Sequence, residues 1–571
     1  MMNTDLYQRI RGITPRQVSS IVGESLHKGI LNYLQTYNQS VEEIDYAALL
    51  FSILGDDCIS NEKLQSILIN RYITSGEKEK AATQNNININ ALVEVQVGDA
   101  LLGLSKAKKR KLIAKIFNFD LDKAAFDEPS GVESYAKSVP KSYVYNKEGT
   151  KEGVFLCLHD YQKRIKDTIT QGLLENSKYR GLVHMPTGSG KTKTCIESIV
   201  DFIRTRPFDE GLVIWFAHSS ELCDQAYYSF VDTWMYKGDY ELPVKRVFGK
   251  KKIDDELYEH KKAFLFLGFQ KFFSILKSQS VEAIKFRKYI AENAQLVVID
   301  EAHKSLAPTY ERCIDYVSQH INCRVLGLTA TPGRSNETSG GDNRVLATYF
   351  DDNLISIKDE NGVLVEKPIE YLQGQRVLAR LEHNTISFDA SEILKESYTR
   401  ILDNGGLDLS HVDMLVESSH RNKIIVTKII EALDDPARDH VLVFASSINH
   451  CEILKILLKI EGVESETIVS GTSQESREKN IAKFKDGKLK VLINFGVLTT
   501  GFDAPKLKTL IIARYTESMI LYSQMIGRAL RGPRNGGHEL NHVIDLITNI
   551  DSLGNPEFLY SYWESFWDKK L

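Results

Sequence analysis

Apolar positions change their rhythm along this chain near residue 180. Before residue 150, IDYAALLFSIL and EKLQSILINRYI repeat apolar residues every three or four positions, the spacing of amphipathic helices. Few strand signals interrupt them, so residues 1–150 predict a mainly α-helical accessory domain. The polar, Asn-rich TSGEKEKAATQNNININ predicts an exposed loop. From about residue 180, short apolar runs follow, each leading through a turn into a helical stretch: GLVHM, LVIWFA, AFLFLG, LVVID and RVLGLTA. A second series comprises HVLVFAS, ETIVSG, KVLINFG, TLIIAR and NHVIDLI. Runs apolar on both faces and alternating with helices indicate parallel sheets covered on both sides. The prediction is an α/β fold with two tandem parallel-sheet lobes, residues 151–352 and 415–550. Residues 353–414, including KPIEYLQGQRVLARLEHNTISF, predict a connector with short strands, and 551–571 a C-terminal tail.

Composition narrows this picture only slightly. A chain of 571 residues is too long for one core and suggests two to four domains. The formal net charge of −4 gives no global basic field, though a locally basic groove suffices to hold nucleic acid. Seven scattered cysteines without a CxxC pair fit a reduced intracellular protein lacking a Cys-based zinc site. The polar start MMNTDLYQRIRGITPRQ and the lack of an apolar run of roughly 20 residues predict a cytoplasmic protein. SKAKKRKLIAK carries Lys106, Lys108, Lys109, Arg110, Lys111 and Lys115. It suits either phosphate contact or a solvated helix face.

The candidate chemistry sits at strand ends, where open α/β sheets bind ligands. GLVHM runs into PTGSGKT and then a helical stretch. Thr187, Gly188, Ser189 and Gly190 form a turn whose N–H groups would face an anion at a helix N-terminus. Lys191 would reach the β- and γ-phosphates of ATP, and the Thr192 hydroxyl would ligate Mg²⁺. The strict pattern has Gly where this chain has Met185. LVVIDEAH delivers Asp300 and Glu301 together, two carboxylates whose repulsion a divalent cation relieves. Asp300 would hold Mg²⁺, leaving Glu301 to orient and deprotonate water. His303 is placed to couple this site to its surroundings, and GLTATPGR adds Thr329 and Thr331 as hydroxyl relays.

PTGSGKT, DEAH, TATP and QMIGRALRG in this order resemble the superfamily 2 helicases and translocases over about residues 155–550. LTTGFDAP followed by QMIGRALRGP is similar to the DNA-directed branch with restriction-enzyme motor subunits and repair helicases. The resemblance implies two RecA-like lobes, ATP and Mg²⁺ as cofactors, and DNA as partner, with RNA not excluded. It implies that Gln162, in LHDYQ, reads the adenine edge with His159 beside it. Ser219 and Ser220 of FAHSSEL would touch the nucleic-acid backbone, with Ser220 where the family has Arg or Lys. Gln270 of GFQKF falls in a further strand-contacting motif, whose usual Thr is Gly268 here. Ser446 with Ser447, and Gly471 with Thr472, end second-lobe strands as phosphate contacts, although helix capping explains the serines equally. Thr499 and Thr500 would face nucleic acid, Asp503 would reach the ATP ribose or the last motif, and Phe495 stands where Thr is usual. Arg528 and Arg531, three residues apart in what reads as the first turn of a helix behind a flexible Gly527, would be arginine fingers, with Gln524 near the γ-phosphate.

The leading function is an ATP-driven nucleic-acid motor, its two lobes closing on ATP and gripping a strand alternately. An ATP-gated sensor of ends or junctions would carry the same motifs, and a plain NTPase is a third class. Hydroxyls and amides aimed at phosphates predict binding with little sequence specificity. No nuclease constellation stands out before residue 150 or after 550, so a separately encoded cutting or defence subunit is the expected partner.

Overall fold

The structure, a computed structural model, describes residues 4–36, 44–54, 58–85, 87, 94–117, 136–139, 157–205, 211–238, 240–249, 253, 255–260, 262–319, 322–333, 341–386, 418–499, 501–502, 504–514, 516, 518–546 and 556–567. The chain divides into two compact units, residues 1–130 with 386–495, and residues 131–385 with 496–571.

The second unit is built on an eight-stranded sheet. Its strands are β1 (Ala136–Val139), β2 (Arg180–His184), β3 (Gly211–Ala217), β4 (Leu242–Val247), β5 (Lys262–Gly268), β6 (Ala294–Asp300), β7 (Arg324–Thr329) and β8 (Leu354–Ile355). They lie in the order β1-β4-β5-β3-β6-β7-β2-β8, with β1 antiparallel to β4 and the remaining neighbours parallel. Successive side chains point to opposite faces, and both faces are buried. Val213, Trp215, Phe264, Phe266 and Val298 meet helices Asp160–Glu175, Lys191–Thr205 and Ser220–Lys237. Ile214, Phe216, Leu265, Val297 and Ile299 meet Phe269–Lys277, Val281–Asn293 and Pro308–Ser318. That double cover is why these strands read as unbroken apolar runs. Strand β4 hid from such a reading because Lys245 and Arg246 interrupt it. Arg246 is held by Asp224 at 2.9 Å and lies 4.4 Å from the Tyr227 ring centroid.

Strands Thr509–Ile512 and Leu540–Leu546 pair in parallel in a sheet separate from the eight-stranded one. Residues 556–567 are no loose tail. Helix Pro556–Ser561 and the 3-10 turn Glu564–Trp567 bury Tyr560, Trp563 and Trp567 against the first-lobe core. The Tyr560 ring stacks on His184 at 3.9 Å and its hydroxyl donates to the His184 carbonyl at 3.1 Å. Trp567 Nε1 donates to the Pro332 carbonyl at 2.9 Å.

In the first unit, parallel strands Val441–Phe444 and Ser465–Ile468 flank Val491–Asn494. The N-terminal helices have their own core, including Leu6, Val18, Leu50, Leu64, Leu68 and Ile113. Helix Glu24–Thr36 reaches helix Ile448–Ile460 so closely that a Cβ at Gly29 would stand 2.7 Å from Ile453 Cδ1. Tyr33 donates to Glu461 at 3.0 Å alongside. Helix Lys106–Ile116 buries Leu112, Ile113 and Ala114 and exposes Lys106, Lys108, Lys111 and Lys115. Both units therefore belong to the parallel-sheet α/β class, with a mainly helical N-terminal layer. Among the described residues no helix is long and apolar enough to cross a membrane. The seven cysteines form no disulfide.

Candidate nucleotide site

The turn after β2 is shaped by two glycines. Gly188 and Gly190 both adopt φ of +83°, a region that other residues occupy only with strain. Met185 occupies the family's usual glycine position, but it is fully buried in the sheet core and its N–H still reaches the Thr329 carbonyl at 3.3 Å. It lies just beyond β2 and does not adopt the left-handed backbone that would require glycine. Lys191, the first residue of its helix, donates from Nζ to the Met185 carbonyl at 3.0 Å. Burial lowers its ammonium pKa, while the charges of Glu301 and Asp300 oppose that shift.

Gln162 braces the turn from behind. Its Nε2 donates to the Ser189 carbonyl at 2.9 Å, beside the Tyr161 hydroxyl on the same oxygen at 2.7 Å. Its Oε1 accepts the His159 N–H at 2.8 Å, closing the cap of helix Asp160–Glu175. A Cβ at Gly190 would stand 2.4 Å from Gln162 Nε2, so only glycine lets the amide approach. His159 lies 3.3 Å from Asn535 Oδ1 through Nε2.

The ends of β6 and β7 supply the acidic side. Glu301 sits in the left-handed region, φ 52° and ψ 53°, a conformation that costs a non-glycine residue about 1–3 kcal/mol. Its N–H donates to Asp300 Oδ1 at 3.0 Å. Burial, then the neighbouring Glu301 charge, raises the Asp300 carboxyl, and Lys191 pulls it back. His303 Nδ1 lies 3.1 Å from Thr329 Oγ1, 3.5 Å from Thr331 Oγ1 and 3.4 Å from Glu301 Oε2. The three groups expected to couple the site are therefore in one buried cluster. Beside it Lys304 Nζ meets His218 Nε2 at 3.2 Å, a pair the sequence reading did not single out.

The segment from Gln524 differs from its expected form. Helix Met519–Ile526 ends before the arginines, Arg528 lies in the 3-10 turn Gly527–Ala529, and Arg531 bridges Leu378 in extended conformation. Ala379 N–H donates to Leu530 at 2.8 Å and Gly532 N–H to Val377 at 3.0 Å. Close packing forces this change: a Cβ on Gly527 would stand 2.6 Å from Thr187 Cβ, and one on Gly532 2.6 Å from the Leu378 carbonyl carbon. Gly527 is thus a contact point rather than a flexible joint. Arg528 donates to the carbonyls of Gln524, at 3.3 Å, and Phe502, and Arg531 to that of Asn535. Burial lowers both guanidinium groups, Arg528 to about 10, although the Glu301 charge favours the cation there. Gln524 is buried, and its Nε2 has no hydrogen-bond partner among the described residues. Asn535, which sequence reasoning missed, donates to the Gly188 carbonyl at 3.0 Å.

The expected nucleic-acid contacts divide between the units. Ser219 caps helix Ser220–Lys237 through Leu222 N–H at 3.3 Å, with Ser220 as the first helical residue, and Gln270 is exposed on helix Phe269–Lys277. Thr499 is buried, and a Cβ on Gly501 would stand 3.1 Å from Leu222, so that loop reaches the same helix start. In the first unit, Ser447 caps helix Ile448–Ile460 through His450 N–H at 3.1 Å, while Ser446 Oγ accepts from Arg421 at 3.3 Å. Thr472 Oγ1 accepts the Val469 N–H at 2.9 Å, and Gly471 is exposed. Both serines and Thr472 therefore already have local backbone or side-chain partners. Thr500 and Asp503 lie outside the described residues.

The residues present fit a magnesium nucleotide. A hydroxyl at Thr192 and a carboxylate at Asp300 are oxygen donors suited to a hard cation. Among the described residues no group of three or more His, Cys, Asp or Glu could hold a metal ion. The unpartnered Gln524 Nε2 and the glycine turn supply donors for an anion.

Residues 155–334 match the family described as type III restriction enzyme, res subunit, and residues 424–533 match the helicase conserved C-terminal domain. The putative ATP-dependent helicase IRC3 of Saccharomyces cerevisiae is 25% identical over 399 residues, 68% of this chain and 51% of that protein. The type I restriction enzyme EcoKI endonuclease subunit of Escherichia coli is 23% identical, over 66% of this chain and 33% of its own length. The chain thus spans about half the length of the first relative and a third of the other. A fragment of a putative HsdR subunit of a type I restriction enzyme from Vibrio vulnificus is 17% identical with a TM-score of 0.46, covering 82% of this chain and 72% of that one.

Proposed function

We propose, from the fact that this chain belongs to the superfamily 2 helicase and restriction-motor family, that it is a Mg²⁺-dependent ATPase that moves along or remodels DNA with little sequence preference. The observation that carries the proposal is the convergence of the β2, β6 and β7 ends with residues 524–535 in one compact unit, joined through Asn535 and Gly188. Lys191 and the N–H groups of the glycine turn bind the β- and γ-phosphates, and Gln162 with His159 holds the adenine side. Thr192 and Asp300 hold Mg²⁺, which neutralises phosphate charge when bound. Glu301 orients the attacking water and takes its proton. Arg528 and Arg531 meet the charge that develops on the transferred phosphoryl group, with Gln524 beside it. Asp503 would reach the ATP ribose or the arginine segment, as the family resemblance implies.

Within one unit Ser219, Ser220, Gln270, Thr499 and Thr500, and within the other Ser446, Ser447, Gly471 and Thr472, are each directed at nucleic-acid phosphates, through backbone amides where hydroxyls are already engaged. Likeness to a type I restriction enzyme endonuclease subunit supports a place in a restriction, defence or repair system. A separately encoded cutting subunit is part of this proposal and rests on the sequence reading alone. Residues 1–150 are then an accessory domain, and the protein acts in the cytoplasm. The test is ATP hydrolysis with and without single-stranded DNA, duplex DNA and RNA, run beside displacement of a fluorescent strand. DNA stimulation with displacement is the expected result. Stimulation without displacement identifies a translocase or sensor, and equal turnover without any nucleic acid defeats the proposal.

A further inference from the structure

His218 is the first residue beyond β3, directly before Ser219 and the helix Ser220–Lys237. Lys304 ends the 3-10 turn Ala302–Lys304, and its N–H donates to the Glu301 carbonyl at 3.0 Å. The two side chains meet at 3.2 Å through Nζ and Nε2. An ammonium has only donors, so the imidazole must accept, with its own proton on Nδ1. That state is the stable one: burial, then the Lys304 charge, pushes His218 down to about 4. Lys304 is itself within the field of Glu301 and Asp300, which oppose the effect of its burial. A neutral acceptor on one strand end therefore orients a cation on the turn that carries Glu301.

We propose that His218 and Lys304 are a positioning pair that makes hydrolysis respond to nucleic acid, transmitting strand occupancy at Ser219 and Ser220 to the turn holding Glu301. The pair rests on the reading of the chain as a nucleic-acid-stimulated ATPase. A phosphate settling on the N–H groups at the start of helix Ser220–Lys237 shifts the backbone at 218, and the hydrogen bond carries that shift to Lys304. The loop carrying Thr499 reaches the same helix start at Leu222, so occupancy on that side acts on the same turn.

The test compares the full chain with His218→Phe, His218→Gln and Lys304→Met in ATP hydrolysis with and without a single-stranded oligo-dT. Oligonucleotide affinity and thermal unfolding are measured in parallel. In His218→Phe and Lys304→Met the ratio of stimulated to basal turnover is expected to fall at least fivefold, with affinity for the oligonucleotide within about twofold of the parent. His218→Gln keeps an acceptor for Lys304 and is expected to retain more than half of the stimulation. An unchanged ratio in either His218→Phe or Lys304→Met overturns the pair. Loss in His218→Gln equal to that in His218→Phe overturns the acceptor role. A parent chain stimulated by no DNA or RNA instead defeats the underlying reading and the pair with it.

Discussion

The Asn535 side chain donates to the Gly188 carbonyl at 3.0 Å, tying the segment after Arg531 to the phosphate-binding turn. Its Oδ1 also faces His159 Nε2 at 3.3 Å, and its Nδ2 lies 3.4 Å from the Val377 carbonyl. One amide thus ties the turn, the cap before helix Asp160–Glu175 and the connector to the arginine segment. Asn535→Ala removes hydrogen bonds each worth about 1 kcal/mol, so kcat/KM for ATP should fall about fivefold to tenfold. Steady-state kinetics check this, with thermal unfolding within a few degrees of the parent.

Gly527 packs on the same turn. A methyl group at position 527 would stand 2.6 Å from Thr187 Cβ and 2.8 Å from its hydroxyl. Overpacking of this kind costs about 1–3 kcal/mol. Gly527→Ala should push the turn away from its ligand geometry and weaken ATP binding about tenfold, as measured by titration with a fluorescent nucleotide.

Much of this site was legible in the sequence, because strand ends in parallel sheets are marked by apolar runs that stop abruptly. GLVHM, LVVID and RVLGLTA delivered Lys191, Glu301 and Thr329 to one place for that reason. The path of the arginine segment was not legible. QMIGRALRG has helical spacing, and only the approach of Thr187 and the Val377–Ala379 strand, distant in sequence, converts it to a turn and a bridge. The same holds for His218 with Lys304 and for Asn535, since single polar residues carry no periodic signal. Residues 556–567 looked like a tail because their buried anchors Tyr560, Trp563 and Trp567 are too few and too irregularly spaced to mark a core element.

Those anchors make a stability prediction. Trp563 is fully buried, and its ring fills the space beside Gly333, where a Cβ would stand 1.8 Å from it. Trp563→Ala should lower unfolding free energy by about 3–5 kcal/mol, seen as a lower urea midpoint. Trp567→Phe, which loses the hydrogen bond to Pro332 and part of the buried ring volume, should cost about 1–3 kcal/mol.

Acid should destabilise the chain in part through His218. Its folded-state pKa of about 4 lies below the ordinary 6.5, so the unfolded chain takes up the proton first as pH falls. Its contribution to stability is complete above 6.5 and diminishes between 6.5 and 4. Burial raises the Asp300 carboxyl and gives the opposite slope, so the parent alone does not isolate the effect. The difference in thermal midpoint between parent and His218→Gln should narrow, in the parent's disfavour, from pH 7.5 to 5. A difference independent of pH contradicts the assignment.

The central claim is that Glu301, on its strained turn between Asp300 and His303, is the base of an ATPase site completed by Arg528 and Arg531. Its most direct test is Glu301→Gln, assayed for turnover and for ATP binding in the presence of Mg²⁺ and DNA. Loss of turnover by at least a hundredfold with ATP still bound is the predicted result. Near-native turnover in Glu301→Gln would contradict it.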